Sequence, residues 1–318
     1  MIRRALLLGV AGLLAAGAAQ ADLLRHCAAP APLDAAQHDR LFRFAAVVQQ
    51  VLEASGQRLA IIARAGTDLH RFGQRYSHAG ISLLDSPNTP WSVRQLYYDC
   101  DQARPRLFDQ GLPGFVLGGA DPAAGHILLL LLPPPQAAAL ASAALDGRRA
   151  QQVLGTRYSA NAHAFSTRYQ NCNQWVAELL AQAWGAADAP TDAQTGAQTD
   201  AAEARAQAQR WLQQQGYVPT RIAVVDPLLL LAAAVLPWLQ IDDHPPALQQ
   251  AQLFDVSLPA SIEAFVRLQV AGAQRIELCH DTQQIVVRQG WQPLSGCQAL
   301  PGDRVLRFDP TEPRPATP

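Results

Sequence analysis

The apolar run from Ile127 to Leu132 is the feature that most constrains the fold. It is unbroken and ends at Pro133-Pro134-Pro135. A membrane-spanning helix needs ~20 apolar residues, so this run is too short to cross a bilayer. A short apolar run that stops at turn formers is typical of a buried strand. We therefore expect a strand from His126 to Leu132 and a helix from Gln136 to Leu145.

Other strands are predicted earlier in the chain. Apolar residues recur at helical spacing from Leu41 to Leu59, and Leu59–Arg64 then has the composition of a short buried strand. Tyr76–Leu84 and Trp91–Tyr98 are two further strand candidates, separated by a segment rich in turn formers. The pattern predicts a hairpin that carries His78 on its first arm.

A second helix is predicted where RYQNCNQWVAELL, residues 168–180, places one cysteine between two asparagines. After Cys172 the apolar residues fall on one helical face: Trp175, Val176, Leu179, Leu180 and Ala183. Asn171 is a good N-cap, because its side-chain oxygen can accept from the free amides of the first turn.

The composition changes after Gly185, and this change suggests a domain boundary. Residues 22–186 form the first predicted domain, and 187–220 are small and polar, as expected of a linker and an exposed helix. Residues 221–308 are predicted to be a smaller α+β part, with a helix at Ser261–Gln269 and a hairpin at Arg275–Val287. Residues 309–318 are predicted to be a disordered tail.

One apolar segment in the C-terminal part has two interpretations. Pro227–Trp238 has the length of a core helix or of an interfacial segment. Asp226 and the two prolines bound it tightly, and a core helix is therefore the favoured interpretation. Contact with a membrane surface through 227–238 is the alternative.

The N-terminus has the form of a secretory signal peptide. Arg3 and Arg4 precede an apolar run, and Ala19-Gln20-Ala21 forms an A-x-A site directly after it. This order predicts cleavage after Ala21 and a periplasmic or secreted mature chain.

Charge and spacing exclude several kinds of ligand. The formal net charge is -1 and the arginines are scattered, so no basic stripe indicates nucleic-acid binding. Gly118-Gly119 lacks a phosphate-loop lysine, and no His/Cys/Asp spacing fits a metal site. Asp242-Asp243-His244 is better interpreted as a polar loop. His163 has two interpretations, a residue that enters the site and, as the favoured one, part of a surface loop. We expect no metal and no cofactor.

Cys172 and His78 are the candidates for chemistry. A helix N-terminus supplies positive potential and free amides, which lower a thiol pKa and can hold an oxyanion. His78 is the candidate base, because Gly80 follows it closely and would let the Cys172 helix approach the strand. The simpler alternatives are a small core cysteine and a satisfied buried histidine.

Two short motifs resemble a known superfamily. Ser77–Ile81 followed later by Asn171–Val176 resembles the circularly permuted papain-like superfamily, which includes NlpC-type cell-wall peptidases and lecithin–retinol acyltransferase. More closely, the chain looks like an uncharacterised family of exported proteobacterial proteins placed in that superfamily. The resemblance implies an α+β fold, with an antiparallel sheet packed against the helix that starts at the cysteine. It also implies Cys172 as nucleophile and His78 as base.

The superfamily takes its third polar residue from the strand after the histidine. Pairing the hairpin about Pro87-Asn88 places Leu96 nearly opposite His78, so Gln95 or Tyr97 can share its face after a small register change. We choose Gln95, because an amide oxygen can accept the imidazole N–H.

Together these features predict a periplasmic cysteine hydrolase, an amidase or peptidase acting on cell-wall peptides. One alternative is an acyltransferase or thioesterase that acts on lipid, with 227–238 meeting a membrane. Another is a non-catalytic binding protein of the same fold, because Gln95 stands where an acid or imidazole is commoner.

The five cysteines give a prediction that tests this function. An odd number in an oxidising compartment leaves one thiol over. We predict disulfides Cys27–Cys100 and Cys279–Cys297, and a free Cys172.

Overall fold

The computed structural model describes Cys27 and residues 32–185 and 200–308. The predicted signal peptide, the predicted tail and residues 187–199 of the predicted linker lie outside the described residues. All elements named below belong to the unit Asp34–Pro318.

The first helix, α1 (Ala35–Ala54), begins at a capping box. Asp34 accepts from the backbone N–H of Gln37 at 2.7 Å, and the Gln37 side chain accepts from the Asp34 N–H at 2.9 Å. These two bonds satisfy amides that the first turn leaves unpaired. The helix ends short of the predicted Leu59, and β1 (Leu59–Arg64) follows as predicted.

The remaining elements follow in chain order. A 3-10 helix (His70–Phe72) leads to β2 (His78–Leu83), β3 (Ser92–Asp99) and β4 (Arg104–Gln110). After these come α2 (Leu112–Leu117), β5 (Gly125–Leu131), α3 (Pro134–Leu145), α4 (Gly147–Gln152), α5 (Cys172–Trp184), α6 (Ala201–Gln214), β6 (Thr220–Ala223), α7 (Pro227–Val235), α8 (Pro246–Gln250), β7 (Leu253–Val256), α9 (Pro259–Gln269), β8 (Gln274–His280), β9 (Gln284–Gln289) and β10 (Arg304–Arg307).

Eight strands form one sheet in the order β10-β9-β8-β5-β1-β2-β3-β4. Every neighbouring pair is antiparallel. The predicted α+β class with an antiparallel sheet is therefore confirmed. The strand predicted from the apolar run is β5, which lies inside the sheet. Strands β8 to β10 join the same sheet through β5, so residues on both sides of the predicted linker share it.

Helices cover both faces of the sheet, because successive strand residues point to opposite faces. On one face, α1 and α2 pack on the strands through a cluster that includes Phe44, Val48, Ile62, Val93, Phe115, Leu129 and Leu278. On the other face, α5 packs on β2 and β3, and α3 packs on β1. The helix that starts at Cys172 therefore lies directly against the His78 strand.

The helix predicted to be exposed, α6, is in fact buried on one side. Arg205, Ala208 and Leu212 of this helix are buried, and α6 packs on α5. Arg205 Nε donates to Glu178 Oε2 at 2.8 Å, and both side chains are excluded from solvent. The polar composition of this helix gives no sign of its buried face, because that face includes an arginine whose charge is paired with Glu178.

The helix predicted to lie in the core, α7, packs only in part, because it also exposes apolar side chains. Leu228, Leu231 and Val235 are 50%, 62% and 71% exposed. They recur at helical spacing and therefore form one outward face. Leu230 is partly buried against a cluster that includes Ile222 and Phe254, and Leu236 and Trp238 after the helix are buried. Among the described residues, no helix combines the length and the apolar character needed to cross a membrane.

The cysteines agree with the predicted pattern. Cys279 and Cys297 form a disulfide with a Cα–Cα distance of 5.6 Å, as predicted. Cys27 and Cys100 are both disulfide-bonded. Cys172 is the free thiol, which confirms that part of the prediction. Disulfide bonds are consistent with a secreted or periplasmic protein.

Candidate functional site

The reactive candidate, Cys172, is the first residue of α5. The predicted N-cap is confirmed, because Asn171 Oδ1 accepts from the backbone N–H of Gln174 at 2.7 Å. The same side chain donates through Nδ2 to the carbonyl of Ser257 at 3.2 Å. The start of the helix is thus fixed both by its own cap and by the C-terminal part of the chain.

The thiol lies against the first residues of the β2 segment. Cys172 Sγ is 4.0 Å from the carbonyl oxygen of Ser77. Asn173 Nδ2 donates to the same oxygen at 3.0 Å. These contacts bring the thiol to the main chain immediately before His78.

Burial controls the protonation state of Cys172. Loss of solvent raises the pKa of the thiol to about 11, although the backbone N–H groups of Asn173 and Ala79 and the charge of Arg64 all act to lower it. The prediction of a lowered pKa at the helix N-terminus is wrong, because desolvation of the thiolate outweighs the amides. The thiol is therefore protonated at neutral pH.

His78 and Gln95 are brought together by the β2–β3 pair. His78 Nε2 lies 2.5 Å from Gln95 Oε1, and Gln95 Nε2 donates to Gln110 Oε1 at 2.8 Å. Because Gln95 uses its N–H to bind Gln110, its oxygen accepts from His78, which places an imidazole proton on Nε2; in the neutral ring Nδ1 is then the acceptor. The imidazole ring also packs edge-on against Tyr97, with the centroids 5.5 Å apart.

The strand register differs by one residue from the predicted one. Ile81 lies opposite Arg94. Continued along the strands, this pairing sets Tyr97 opposite His78, where the sequence predicted Leu96. Because facing residues share a side of the sheet, Tyr97 and Gln95 both lie on the His78 face.

Gly80 is needed for a different reason from the predicted one. A Cβ at this position would lie 2.6 Å from Val93 Cγ1 and 2.9 Å from the carbonyl oxygen of Arg94. Both atoms belong to β3. The absent side chain therefore lets β3 approach β2, and the prediction that it makes room for the Cys172 helix is not supported by these contacts.

Arg64 is a member of the site that the sequence did not single out. It ends β1 opposite His78 and is 3% exposed. Its Nη2 donates to the Tyr97 hydroxyl at 3.3 Å, and its Cζ lies 4.8 Å from the centre of the Phe115 ring. Within the described part of the chain, its Nε and Nη1 have no hydrogen-bond partner. The only sequence signal is an arginine that closes an otherwise apolar strand.

A second polar cluster supports the loop that leads to Cys172. The backbone N–H of His163 donates to Asp243 Oδ2 at 3.0 Å, and His244 Nε2 donates to the Asn161 carbonyl at 2.8 Å. Burial lowers the pKa of both histidines. Residues 242–244 form a polar loop, as predicted, although His244 within it is buried; His163 is half-buried between the two segments and not fully on the surface.

The site offers a thiol, an imidazole, amides and a guanidinium as its functional groups. Within residues 32–185 and 200–308 and at Cys27, no three or more His, Cys, Asp or Glu side chains are grouped so as to hold a metal ion.

A comparison with known protein families shows to which family the chain belongs. The model of DUF2145, described as an uncharacterized protein conserved in bacteria, matches residues 51–266. The chain belongs to the DUF2145 family. The match includes Arg64, His78, Gln95 and Cys172, and it continues past the predicted linker into the C-terminal part. No curated protein and no solved structure matches the chain significantly.

Membership of DUF2145 confirms the predicted relation to an uncharacterised bacterial family. The description of DUF2145 names no activity and no superfamily. The resemblance to permuted papain-like proteins therefore stays a prediction.

Proposed function

We propose that this protein is an exported cysteine hydrolase with a permuted papain-like fold that cleaves amide bonds in cell-wall peptides. In this proposal, Cys172 is the nucleophile, His78 the general base and Gln95 the residue that orients the base. The observation that carries it is a free thiol at a helix N-terminus, held against the main chain next to a histidine whose tautomer is set by Gln95.

The reaction would begin with a protonated thiol. As Sγ attacks the carbonyl carbon, His78 Nδ1 takes the thiol proton, and the carbonyl electrons move to its oxygen. The backbone amides at the start of α5 are suited to stabilise that oxyanion. The carbon–nitrogen bond then breaks, and the amine leaves with the proton from His78. Water attacks the thioester while His78 accepts the water proton, which releases the acid and returns the proton to sulfur.

The raised pKa of Cys172 supports the role of His78 as the activating base in this proposal. A thiol with a pKa of about 11 is almost entirely protonated at neutral pH. Attack therefore requires a base that removes the proton during bond formation. Gln95 supports this role, because it holds the imidazole with Nδ1 as its acceptor nitrogen.

One buried acceptor favours an amide substrate. Asn173 follows Cys172 and is 1% exposed. Its Nδ2 binds the Ser77 carbonyl, whereas its Oδ1 has no hydrogen-bond partner among the described residues. A buried acceptor without a partner is costly, and an amide N–H of the substrate would satisfy it. An ester has no such hydrogen.

Acyl transfer or thioester hydrolysis on a lipid is the second candidate. The exposed apolar face of α7 favours it, because that face is suited to contact with a membrane surface or an acyl chain. The segment after α7 leads toward the site: Trp238 packs near Tyr98, and Tyr98 packs near the buried Tyr158. A non-catalytic binding protein of the same fold is the third candidate, favoured by the protonated resting thiol.

Alkylation of Cys172 by iodoacetamide tests the proposal. We expect His78→Ala to slow alkylation at least tenfold below pH 9, which is the ordinary pKa of a thiol. Removal of a general base typically lowers a reaction rate by ~10²–10⁴-fold. Well above pH 11 the two proteins should react alike. His70→Ala, an exposed histidine near the same strand, is the matched control.

The outcomes separate the three candidates. Equal alkylation of the wild type and His78→Ala at every pH removes His78 from the mechanism. Release of fragments from purified cell wall by the wild type but not by Cys172→Ser supports the hydrolase. Turnover of acyl esters only in the presence of liposomes supports the second candidate, and the absence of both activities supports a binding protein.

A further inference from the structure

Arg64 is a buried cation to which the described part of the chain offers no anionic partner. Among the described residues, no carboxylate forms an ion pair with it, and its hydrogen-bonded partner is the neutral hydroxyl of Tyr97. Other buried arginines of the same protein are neutralised: Arg205 pairs with Glu178, and Arg275 with Glu277. Arg64 is therefore an exception within its own chain.

An unpaired charge in this position is destabilising. Moving a cation out of water is unfavourable by several kcal/mol unless hydrogen bonds and an opposite charge replace the lost hydration. The Phe115 ring under the guanidinium compensates only in part. The two free donors, Nε and Nη1, leave the need for an acceptor unmet.

The surroundings of Arg64 are suited to a ligand that binds close to the reacting atoms. Arg64 lies opposite His78 across the β1–β2 pair. Tyr97 contacts both residues, and it is also 39% exposed, so its ring extends from solvent to the guanidinium. A substrate that follows Tyr97 inward would reach Arg64 and His78 together.

We propose that Arg64 is a substrate-binding residue that selects compounds with a carboxylate close to the carbonyl attacked by Cys172. This inference rests on the proposed function, since it names the class of its substrate: acyl compounds and peptides that carry a free carboxylate near the scissile bond. Arg64 gains from such a substrate the negative charge and the acceptors that residues 32–185 and 200–308 do not provide.

Two alkylators of nearly equal size test this selection. Iodoacetate carries a carboxylate next to its reactive carbon, and iodoacetamide is neutral. We expect the iodoacetate-to-iodoacetamide rate ratio at Cys172 to exceed that of glutathione by roughly tenfold, the change that one charge-assisted hydrogen bond brings. Arg64→Gln should return the ratio to that of glutathione, whereas any slowing that it causes through the thiol pKa should affect both reagents alike. Arg64→Lys, which keeps the charge, should retain part of the preference.

A matched control lies at the other end of β1. Arg58→Gln removes an arginine that is exposed and paired with Asp85, and it should leave the ratio unchanged. A wild-type ratio equal to that of glutathione would overturn the proposal. An Arg64→Gln variant that keeps the raised wild-type ratio would also overturn it, because Arg64 would then act on the thiolate and not on the ligand.

A second measurement does not depend on the thiol. In Cys172→Ser, we expect N-acetylglycine to raise the thermal unfolding temperature and N-acetylglycinamide not to do so. The double variant Cys172→Ser/Arg64→Gln should lose this difference. If Cys172 proves unreactive but the two compounds still differ in their effect on the unfolding temperature, the proposed hydrolase activity is wrong and the proposed anion site at Arg64 is supported. Equal effects of the two compounds on Cys172→Ser would overturn the anion site.

Discussion

Nε2 of His78 donates to Oε1 of Gln95 at 2.5 Å, and Gln110 holds the other end of the same amide. This chain of two amides fixes the orientation of the imidazole without any charge. A carboxylate in the place of Gln95 would also stabilise the imidazolium, whereas an amide oxygen does so only weakly. The arrangement therefore suits a base that takes a proton briefly during attack.

Removal of the Gln95 amide should change the histidine tautomer. Gln95→Leu removes the acceptor of Nε2 at this half-buried ring, and the loss of one hydrogen bond typically costs about 0.5–1.5 kcal/mol of stability. In ¹⁵N NMR spectra, His78 of the wild type should carry its proton on Nε2, and the variant should show a mixture. Gln110→Leu removes only the bond that orients the Gln95 amide, and it should therefore shift the tautomer less than Gln95→Leu does. An unchanged tautomer in Gln95→Leu would argue against an orienting role.

The buried thiol should make stability depend on pH above neutrality. The pKa of Cys172 rises from 9.0 to about 11 on folding, so the native state favours the protonated form. Stability is complete below pH 9 and is lost as the pH rises toward 11, by about 3 kcal/mol in total. Urea unfolding of the wild type and Cys172→Ala across this range should differ in slope. Parallel curves would contradict a buried, protonated thiol.

The buried His280 should make the stability fall as the pH is lowered into the acid range. Burial lowers its pKa from 6.5 to about 4, so the native state favours the neutral ring. The stability it contributes is present above pH 6.5 and is lost as the pH falls through 4, by up to about 3 kcal/mol. His280→Gln should flatten this acid limb, and the exposed His70→Gln should not. The same acid slope in all three proteins would exclude His280 as its source.

The Glu178–Arg205 pair should be necessary for folding. Arg205→Met leaves Glu178 buried without a counter-charge, which costs about 3–5 kcal/mol. Arg205 also donates to the carbonyls of Thr167 and Tyr169, so the loop before Cys172 loses its support. Denaturant unfolding measures the loss.

Two further variants make that measurement specific. Arg210→Met removes a surface partner of Glu203 from the same helix and should cost less than about 1 kcal/mol. Glu178→Leu combined with Arg205→Met should recover much of the stability, because neither charge then remains buried. A small effect of Arg205→Met alone would show that the pair is dispensable.

Features with a local cause could be predicted from the sequence. The β5 strand follows from an apolar run between turn formers, the Asn171 cap from one side chain at a helix start, and the Cys279–Cys297 bridge from a short separation. In each case the deciding contact lies within a few residues or within one hairpin.

Features that depend on distant partners could not be predicted. Arg64 has the same appearance in the sequence as any arginine after a strand, and its isolation depends on which residues β2 and β3 place around it. The pKa of Cys172 was predicted in the wrong direction, because the helix terminus is visible in the sequence but the depth of burial is not. The exposed face of α7 was missed because an apolar segment without polar residues gives no sign of which side is covered.

The position of β5 in the sheet makes the two ends of the chain depend on each other. Its neighbours are β1, from the N-terminal part, and β8, from the C-terminal part. Domains generally form from the N-terminus onward during synthesis, so a leucine-rich strand has one unpaired edge until the last part of the chain arrives. Such an edge is a template for pairing with another molecule. A shortened protein that ends before β8 would keep Cys172 and His78 but would be expected to self-associate through the unpaired edge of β5. The C-terminal strands are therefore expected to protect the protein from aggregation.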